Sequence, residues 1–316
     1  MGVLVEVKGL KKYFNTARGL LHAVDDVSFK IEQGKTMGVV GESGCGKTTL
    51  GRMMVHLEES TGGNIYFKGE DVTHVKGREL AALHNEMRII FQDPFSSLNP
   101  RLTVQQSIQE PLKISRKSEE DIVMRTGELM EMVGIDERLR VSFPHELDGG
   151  RRQRVGIGRA LAPGPVFIVC DEPVSALDVS IQAQVLNLLQ DLQEEHGITY
   201  LFITHDLSVV RHISDDICVM YLGQLVETSP SKKLFERPLH PYTKALLSAV
   251  PSIDIYSRPE RIILKGELVS PINPKPGCRF IPRCPYSGEE CREPQRLEEV
   301  EPNHFVACCR VKDIND

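Results

Sequence analysis

Residues 36–55 read TMGVVGESGCGKTTLGRMMV. The first five predict a short buried strand, and the stretch from Thr48 to Val55 is compatible with a helix. Between them, Gly41 to Thr48 match the pattern G-x-x-x-x-G-K-[ST]. A strand, a glycine loop and a helix in this order begin an α/β unit, so the chain is predicted to belong to the α/β class.

The glycine loop is a candidate phosphate site. Glycines let backbone N–H groups curl around phosphate oxygens, and the N-terminus of the following helix adds positive potential. Lys47 would reach the β- and γ-phosphates, and Thr48 would hold Mg²⁺. A chance glycine-rich turn is the alternative, and the position between a strand and a helix argues against it. The predicted nucleotide-binding residues of the loop are Gly41, Ser43, Gly44, Cys45, Gly46, Lys47, Thr48 and Thr49.

A second apolar strand, Val166–Cys170, ends at two carboxylates, Asp171 and Glu172. Asp171 is placed to bind Mg²⁺, and Glu172 could act as a general base on the attacking water. A strand that ends in Asp-Glu is a weak signal alone. Together with the glycine loop upstream, it predicts a site for nucleotide hydrolysis.

In the rest of the first 240 residues, segments with helical spacing alternate with strand-like apolar runs. Polar segments with helical spacing, such as Glu119–Val133, predict a helical insertion. Strands alternating with helices predict a parallel sheet that is covered on both faces. The further predicted strands are Val3–Gly9, Ala23–Ile31, Thr199–Ile203 and Ile217–Tyr221, and the helix Ile181–Glu195 precedes the last two.

Taken in order, these motifs resemble the ATP-binding subunit of an ABC transporter. The resemblance implies a P-loop NTPase core over residues 1–240, with a helical subdomain at about 95–160, which uses ATP and Mg²⁺. The implied roles are catalysis for Glu172, His205 and Gln92, Mg²⁺ binding for Thr48, Gln92 and Asp171, adenine stacking for Tyr13, and a dimer-spanning D-loop for Ser175 and Asp178.

The signature segment departs from the family pattern, which resembles Leu-Ser-Gly-Gly-Gln. Here it reads Leu147-Asp-Gly-Gly-Arg151, so Gly149 and Gly150 remain while Asp148 replaces the serine. A carboxylate 4 Å from a phosphate charge is repelled by about 4 kcal/mol at an effective dielectric of 20. Arg151 could offset this repulsion by pairing with Asp148 or with the phosphate. The alternative is that Asp148 simply caps a helix.

In the family, a signature completes the ATP site of the partner subunit. The altered signature therefore predicts a heterodimer with a second ATPase subunit and two unequal ATP sites. A regulatory pseudo-ATPase is an alternative, although the intact Lys47, Asp171, Glu172 and His205 argue against it.

Residues 241–316 form a predicted loop-rich C-terminal module, because prolines recur through them. The stretch 91–103 resembles oligopeptide and dipeptide permease ATPases, and the F-type subunit most. The stretches 238–247 and 266–274 resemble the C-terminal extension of that subfamily. The resemblance implies a partner set of two transmembrane permease subunits and an extracellular substrate-binding protein, and import of di- or oligopeptides. Nickel or oligosaccharide import, and a soluble ABC ATPase outside transport, are the alternatives.

Five of the eight cysteines lie in this module. Four have the spacing C-x₅-C-x₆-C-x₁₆-C, which suits an iron–sulfur cluster or zinc. The absence of a C-x-x-C pair weakens the zinc interpretation. Free or disulfide-paired thiols remain an alternative. The resemblance implies a [4Fe–4S] cluster. The predicted ligands are Cys278, Cys284, Cys291 and Cys308, with Cys309 as an alternate for the last.

Composition restricts the kinds of partner and the cellular location that we expect for this protein. The net charge of −6 argues against a nucleic-acid partner held by a basic surface. No stretch approaches 18 uninterrupted apolar residues, and the N-terminus has no apolar signal region. The expected location is peripheral, on the cytoplasmic face of the cell (inner) membrane.

Overall fold

The computed structural model describes residues 2–114, 118–250, 261–266 and 270–315. These residues divide into two compact units. Unit 1 contains the described residues of 1–53, 57–74 and 202–316, and unit 2 contains those of 54–56 and 75–201. The N-terminal strands and the C-terminal cysteines therefore lie in the same unit. The domain boundary at residue 240 stays a prediction.

Twelve strands and eleven α-helices are formed by the described residues. The strands are β1 (Val3–Thr16), β2 (Gly19–Glu32), β3 (Thr36–Val40), β4 (Gly62–Phe67), β5 (Glu70–Asp71), β6 (Met87–Ile90), β7 (Phe167–Asp171), β8 (Thr199–Ile203), β9 (Asp216–Tyr221), β10 (Gln224–Pro230), β11 (Glu298–Glu301) and β12 (His304–Val306). The helices are α1 (Lys47–Met54), α2 (Gly77–Glu86), α3 (Pro94–Ser97), α4 (Val104–Ile114), α5 (Glu119–Met132), α6 (Gly149–Leu161), α7 (Val179–His196), α8 (Leu207–Ile213), α9 (Ser231–Glu236), α10 (Pro241–Ser248) and α11 (Val311–Asn315).

Unit 1 holds two sheets. One has the strand order β2-β1-β4-β5 and is antiparallel, with Val7 opposite Phe29 and Val5 opposite Phe67. The other contains the run β11-β12-β10-β9-β3, in which β3 and β9 are parallel. All five residues of β3 are buried, as the apolar run predicts for a strand covered on both faces. The glycine loop thus begins directly after a fully buried strand.

Unit 2 combines a parallel strand pair with the predicted helical insertion. Strands β6 and β7 are parallel, and the helices α3 to α6 lie between them in the chain. The predicted helix Glu119–Val133 is confirmed as α5, whose first turn is acidic and whose N-cap is Ser118. Helix α7 begins two residues before the predicted Ile181, because Asp178 caps it.

The C-terminal module is more regular than its prolines predict. Pro241 opens α10 at its first turn, with His240 as the N-cap, because a missing N–H costs nothing at that position. The hairpin of β11 and β12 extends the sheet through a pairing of β12 with β10. Part of the permease-like stretch 266–274, residues 267–269, lies outside the described residues.

One buried carboxylate ties these C-terminal elements to the sheet. Glu227, on β10, is fully buried and accepts hydrogen bonds from the backbone N–H groups of Leu239 (2.8 Å) and His240 (2.9 Å). Its third partner is Nε2 of the fully buried His304 on β12, at 2.7 Å. Burial also lowers the pKa of His240 to about 4, so that Nδ1 stays free to accept from the Tyr242 N–H.

Among the described residues, no helix has both the length and the apolar character needed to cross a membrane.

Candidate functional site

The glycine loop has a backbone that only glycine tolerates at two positions. Gly41 and Gly46 have φ angles of 155° and 107°. A Cβ at Gly41 would lie 2.1 Å from the Met220 carbonyl oxygen, and one at Gly46 would lie 2.0 Å from that of Ala23. A side chain at either position would push the loop away from these carbonyl groups, which explains why the motif has glycine at both positions.

Lys47 is folded onto the loop that it follows. Its Nζ donates hydrogen bonds to the carbonyl oxygens of Gly41 (2.8 Å) and Glu42 (3.0 Å), and the residue is 4% exposed. Thr48 and Thr49 follow in the first turn of α1 and are half-buried. Burial raises the pKa of the Cys45 thiol. The Lys47 ammonium group is therefore held at the loop by two neutral carbonyl oxygens, which a phosphate can replace.

Tyr13, the predicted adenine-stacking residue, lies on β1 in unit 1. Its ring stacks on that of His22, with centroids 4.1 Å apart. Its hydroxyl donates to the Asp25 carboxylate, which also pairs with Arg279. Burial is the largest cause that raises the pKa of the Tyr13 phenol. The ring is thus fixed by polar partners that no sequence motif identifies.

The predicted Q-loop glutamine and the predicted general base are in direct contact in unit 2. Gln92 Nε2 donates to Glu172 Oε2 at 2.9 Å. Asp171 ends β7 and is 2% exposed. Glu172 has a φ of 47°, and its carbonyl oxygen accepts from Ser175 Oγ at 3.1 Å. The turn after β7 therefore carries the Glu172 side chain to Gln92 and holds Ser175, at the start of the D-loop, against the Glu172 backbone.

The signature segment shows how Asp148 is used. Asp148 is the N-cap of α6, and its carboxylate accepts from the Arg151 N–H at 2.8 Å. The Arg151 guanidinium lies 3.4 Å from the same carboxylate, and both side chains are more than half exposed. A Cβ at Gly150 would lie 2.5 Å from Ile181 Cγ2, so this glycine permits a close approach to α7. Asp148 therefore both caps α6 and pairs with Arg151.

The remaining predicted residues fall at element ends. Asp178 caps α7 by accepting from the Ile181 N–H at 3.0 Å. His205 follows β8 and is exposed. The glycine loop, Tyr13 and His205 belong to unit 1, whereas Gln92, the signature, Asp171, Glu172 and the D-loop belong to unit 2.

All five C-terminal cysteines line one cavity of about 10 Å³, which holds about one water molecule. Cys291 Sγ and Cys309 Sγ are 3.9 Å apart. Burial raises the pKa of Cys278 and of Cys308 to about 11, so both are protonated thiols at neutral pH. In the described part of the chain, no three His, Cys, Asp or Glu side chains are placed to hold a metal ion. The donor set suits a thiolate-bound group, but the cavity is smaller than a four-iron cluster.

Sequence reasoning missed three side chains that contact either the glycine loop or the carboxylate that anchors Tyr13. Arg279 reaches Asp25, Arg283 reaches Glu42, and the Tyr242 hydroxyl accepts from the Glu42 N–H. Each comes from the C-terminal module. Their signal in the sequence is weak, since two arginines beside cysteines and one tyrosine in a helix are ordinary on their own.

Two family descriptions match the chain. Residues 24–175 match "ABC transporter", and residues 226–291 match "Oligopeptide/dipeptide transporter, C-terminal region". The chain is 50% identical to the putative oligopeptide transport ATP-binding protein YkfD of Bacillus subtilis, covering 96% of this chain and 94% of that protein. It is 47% identical to the dipeptide transport ATP-binding protein DppF of Haemophilus influenzae, covering 98% and 97%.

Solved structures agree with the fold. cbiO1 from Clostridium perfringens, part of the ABC transporter complex cbiONQ, matches with a TM-score of 0.68 and 26% identity, over 75% of this chain and 92% of that one. The ATP-binding cassette MJ0796, in a dimeric post-hydrolysis state bound to ADP and Pi, matches with a TM-score of 0.66 and 29% identity, over 72% and 99%. The predicted P-loop NTPase core is confirmed.

Proposed function

Since the chain belongs to the ABC transporter family, we propose that it is the ATP-hydrolysing subunit that powers import of di- or oligopeptides. The single observation that carries the activity is the hydrogen bond between Gln92 and Glu172, which already holds the general base in place. The cargo rests on the permease-type C-terminal region and on the peptide transport named for both relatives.

The chemistry follows from the residues present. Lys47 and the loop N–H groups would bind the β- and γ-phosphates, and Asp171 and Thr48 would hold Mg²⁺, which neutralises charge on the phosphates. Glu172 accepts a proton from water as the water oxygen attacks the γ-phosphorus and the bond to ADP breaks. Gln92 would orient the Glu172 carboxylate through the hydrogen bond from its Nε2 to Oε2. His205 would donate to the γ-phosphate.

The activity is tested by ATP hydrolysis in the complex assembled in lipid vesicles. We expect the Lys47→Ala variant to lose at least about 100-fold in turnover, because a buried charge-assisted contact to phosphate is removed. The Lys232→Ala variant, which removes an 88% exposed lysine, is the matched control and should match the wild-type rate. Equal rates for Lys47→Ala and wild type would contradict the assignment.

The proposed partners are a second ATPase subunit, two transmembrane permease subunits and an extracellular binding protein. The chain would sit peripherally on the cytoplasmic face of the inner membrane. Co-purification with integral membrane subunits supports this proposal, whereas recovery of a fully active ATPase without them favours a soluble ABC ATPase. Vesicle uptake of labelled peptide, nickel and oligosaccharide distinguishes the possible cargoes.

The altered signature predicts unequal ATP sites in the heterodimer. In the assembled complex, Asp148→Ser with Arg151→Gln should raise turnover or ATP affinity several-fold at one site, because a carboxylate facing phosphate is removed. Serine also keeps the helix cap. The control is Asp136→Ser, since Asp136 likewise accepts from a nearby N–H and pairs with an arginine, Arg138. If both the ATPase rate and the ATP affinity are unchanged in the signature variant, the asymmetric-site hypothesis is wrong.

We also propose a [4Fe–4S] cluster on Cys278, Cys284, Cys291 and Cys308, with Cys309 as an alternate ligand. The convergence of five cysteines on one cavity supports the donor set, and binding requires the surrounding loops to move apart. A bound cluster would act as a cross-link in a small module.

The cluster is tested in anaerobically purified protein. We expect about four iron and four sulfide per chain and absorbance near 400 nm, with both lost in Cys291→Ser. Cys218→Ala, at a cysteine fully buried on β9, should keep the iron. Stoichiometric zinc without iron would contradict the cluster.

A further inference from the structure

Two arginines of the cysteine-bearing segment pair with carboxylates beside the predicted nucleotide site. Arg279 follows Cys278 and Arg283 precedes Cys284. Their side chains are 7% and 10% exposed, so both guanidinium groups are removed from solvent. Each pairs with a carboxylate that belongs to a different part of the site, and all of these residues lie in unit 1.

Arg283 holds the glycine loop. Its Nη1 and Nη2 donate to the two carboxylate oxygens of Glu42, at 2.8 Å and 3.0 Å. Such a two-point contact fixes direction as well as distance. The Glu42 N–H donates to the Tyr242 hydroxyl at 2.9 Å, so the same loop residue is held from its side chain and from its backbone. Glu42 directly follows Gly41, and its carbonyl oxygen accepts from Lys47 Nζ.

Arg279 holds the adenine side. It pairs with Asp25 and also donates to the Leu222 carbonyl oxygen. Asp25 accepts from the Tyr13 hydroxyl and lies 3.2 Å from His22 Nδ1, so the two stacked rings share one anchor. The neighbouring turn is tied to both regions, because the Gly223 N–H donates to the Cys45 carbonyl oxygen and the Gly223 carbonyl oxygen accepts from the Asp25 N–H.

An aromatic cluster makes this support rigid. Phe280, between the two arginines, is 1% exposed and packs against Tyr221 and Tyr242, with ring centroids 5.3 Å and 5.5 Å away. Tyr221 and Tyr242 are themselves 4.6 Å apart. Aromatic contacts of this kind favour one arrangement of the segment over its alternatives.

We propose that Arg279 and Arg283 are positioning residues for ATP binding, Arg283 through Glu42 and the phosphate loop, and Arg279 through Asp25 and Tyr13. The inference rests on the proposed ATPase function. The cysteine-bearing segment thereby supports the nucleotide site from outside, through the residues that hold Glu42 and Asp25. Anything that displaces the segment weakens nucleotide binding as well as the fold.

The two contacts predict different losses. Arg283→Gln should weaken ATP and inorganic tripolyphosphate alike, by about five- to tenfold, because the phosphate loop loses its anchor. Arg279→Gln should weaken ATP by about fivefold and leave tripolyphosphate within about twofold, because its anchor serves the adenine ring. Binding is measured on the full-length protein by calorimetry with each ligand.

The Glu42→Gln variant distinguishes a positioning role of Glu42 from a purely electrostatic effect on ATP binding. Removing a carboxylate beside a phosphate site should strengthen ATP binding if charge alone mattered. Positioning predicts the reverse, a weakening close to that of Arg283→Gln, and little additional loss in the double variant. Arg283→Lys keeps the charge without the two-point contact and should restore only part of the affinity.

The control is Arg292→Gln, at an exposed arginine in the same segment, which should bind both ligands as the wild type does. Thermal midpoints without nucleotide identify any variant that fails to fold, and Glu42→Gln then carries the test from outside the segment. Wild-type affinity in the Arg279, Arg283 and Glu42 variants overturns the proposal, as does tighter ATP binding in Glu42→Gln. A wild-type protein that binds no ATP instead refutes the proposed function.

Discussion

Replacing Glu172 with Gln should lower the rate of ATP hydrolysis by about 10²- to 10⁴-fold while ATP binding stays near the wild-type value. The loss is expected because a neutral amide cannot accept the proton of the attacking water. Binding should survive because the substitution keeps size and shape. The amide oxygen introduced by Glu172→Gln can still accept from Gln92, whose Nε2 lies 2.9 Å from the present carboxylate.

The measurement is phosphate release under single-turnover conditions, beside equilibrium binding of ATP. Glu131→Gln, at an exposed glutamate on α5, is the matched control and should keep full turnover. Two results would overturn the assignment: hydrolysis within about threefold of wild type, or a loss of turnover matched by an equal loss of ATP affinity.

The second large effect concerns stability. Glu227→Ala should lower the free energy of unfolding of the full chain by about 3–5 kcal/mol. The two backbone N–H groups of Leu239 and His240, and Nε2 of His304, would each lose a buried acceptor. Because these partners begin α10 and lie on β12, the C-terminal elements should loosen before the rest of unit 1.

Urea unfolding, followed by circular dichroism, measures this loss. The control is Glu301→Ala, which removes a partly exposed carboxylate paired with Lys233 and Arg237 and should cost at most about 1 kcal/mol. If the Glu227 variant is as stable as the Glu301 variant, the anchoring role of Glu227 is wrong.

Much of the architecture follows from local patterns. Strand β3 is found at the predicted residues, and α1 begins one residue before the predicted Thr48, because an apolar run, a glycine loop and a helix leave few alternatives. Helix α5 is confirmed because its serine cap and acidic first turn are readable. In each of these cases the residues that predict the element lie within it or next to it.

The missed features depend on distant partners. Local pattern alone makes Pro241 a helix breaker, yet the same residue starts α10 once His240 caps it and Glu227 anchors the turn. The short strands β11 and β12 exist because β10 offers an edge to pair with. Likewise, no local pattern shows that Arg279 and Arg283 meet Asp25 and Glu42, since those contacts join the two ends of the chain.

The pairing of Arg283 with Glu42 has a consequence for how the protein is made. The two residues are 241 positions apart. At about 5–20 residues per second, the ribosome adds Arg283 about 12–50 s after Glu42. Throughout that interval the nascent phosphate loop lacks Arg283, and for most of it the loop also lacks Tyr242. The contacts that support the nucleotide site therefore form last. A chain that stops early in translation carries the complete glycine-loop motif without the segment that holds it.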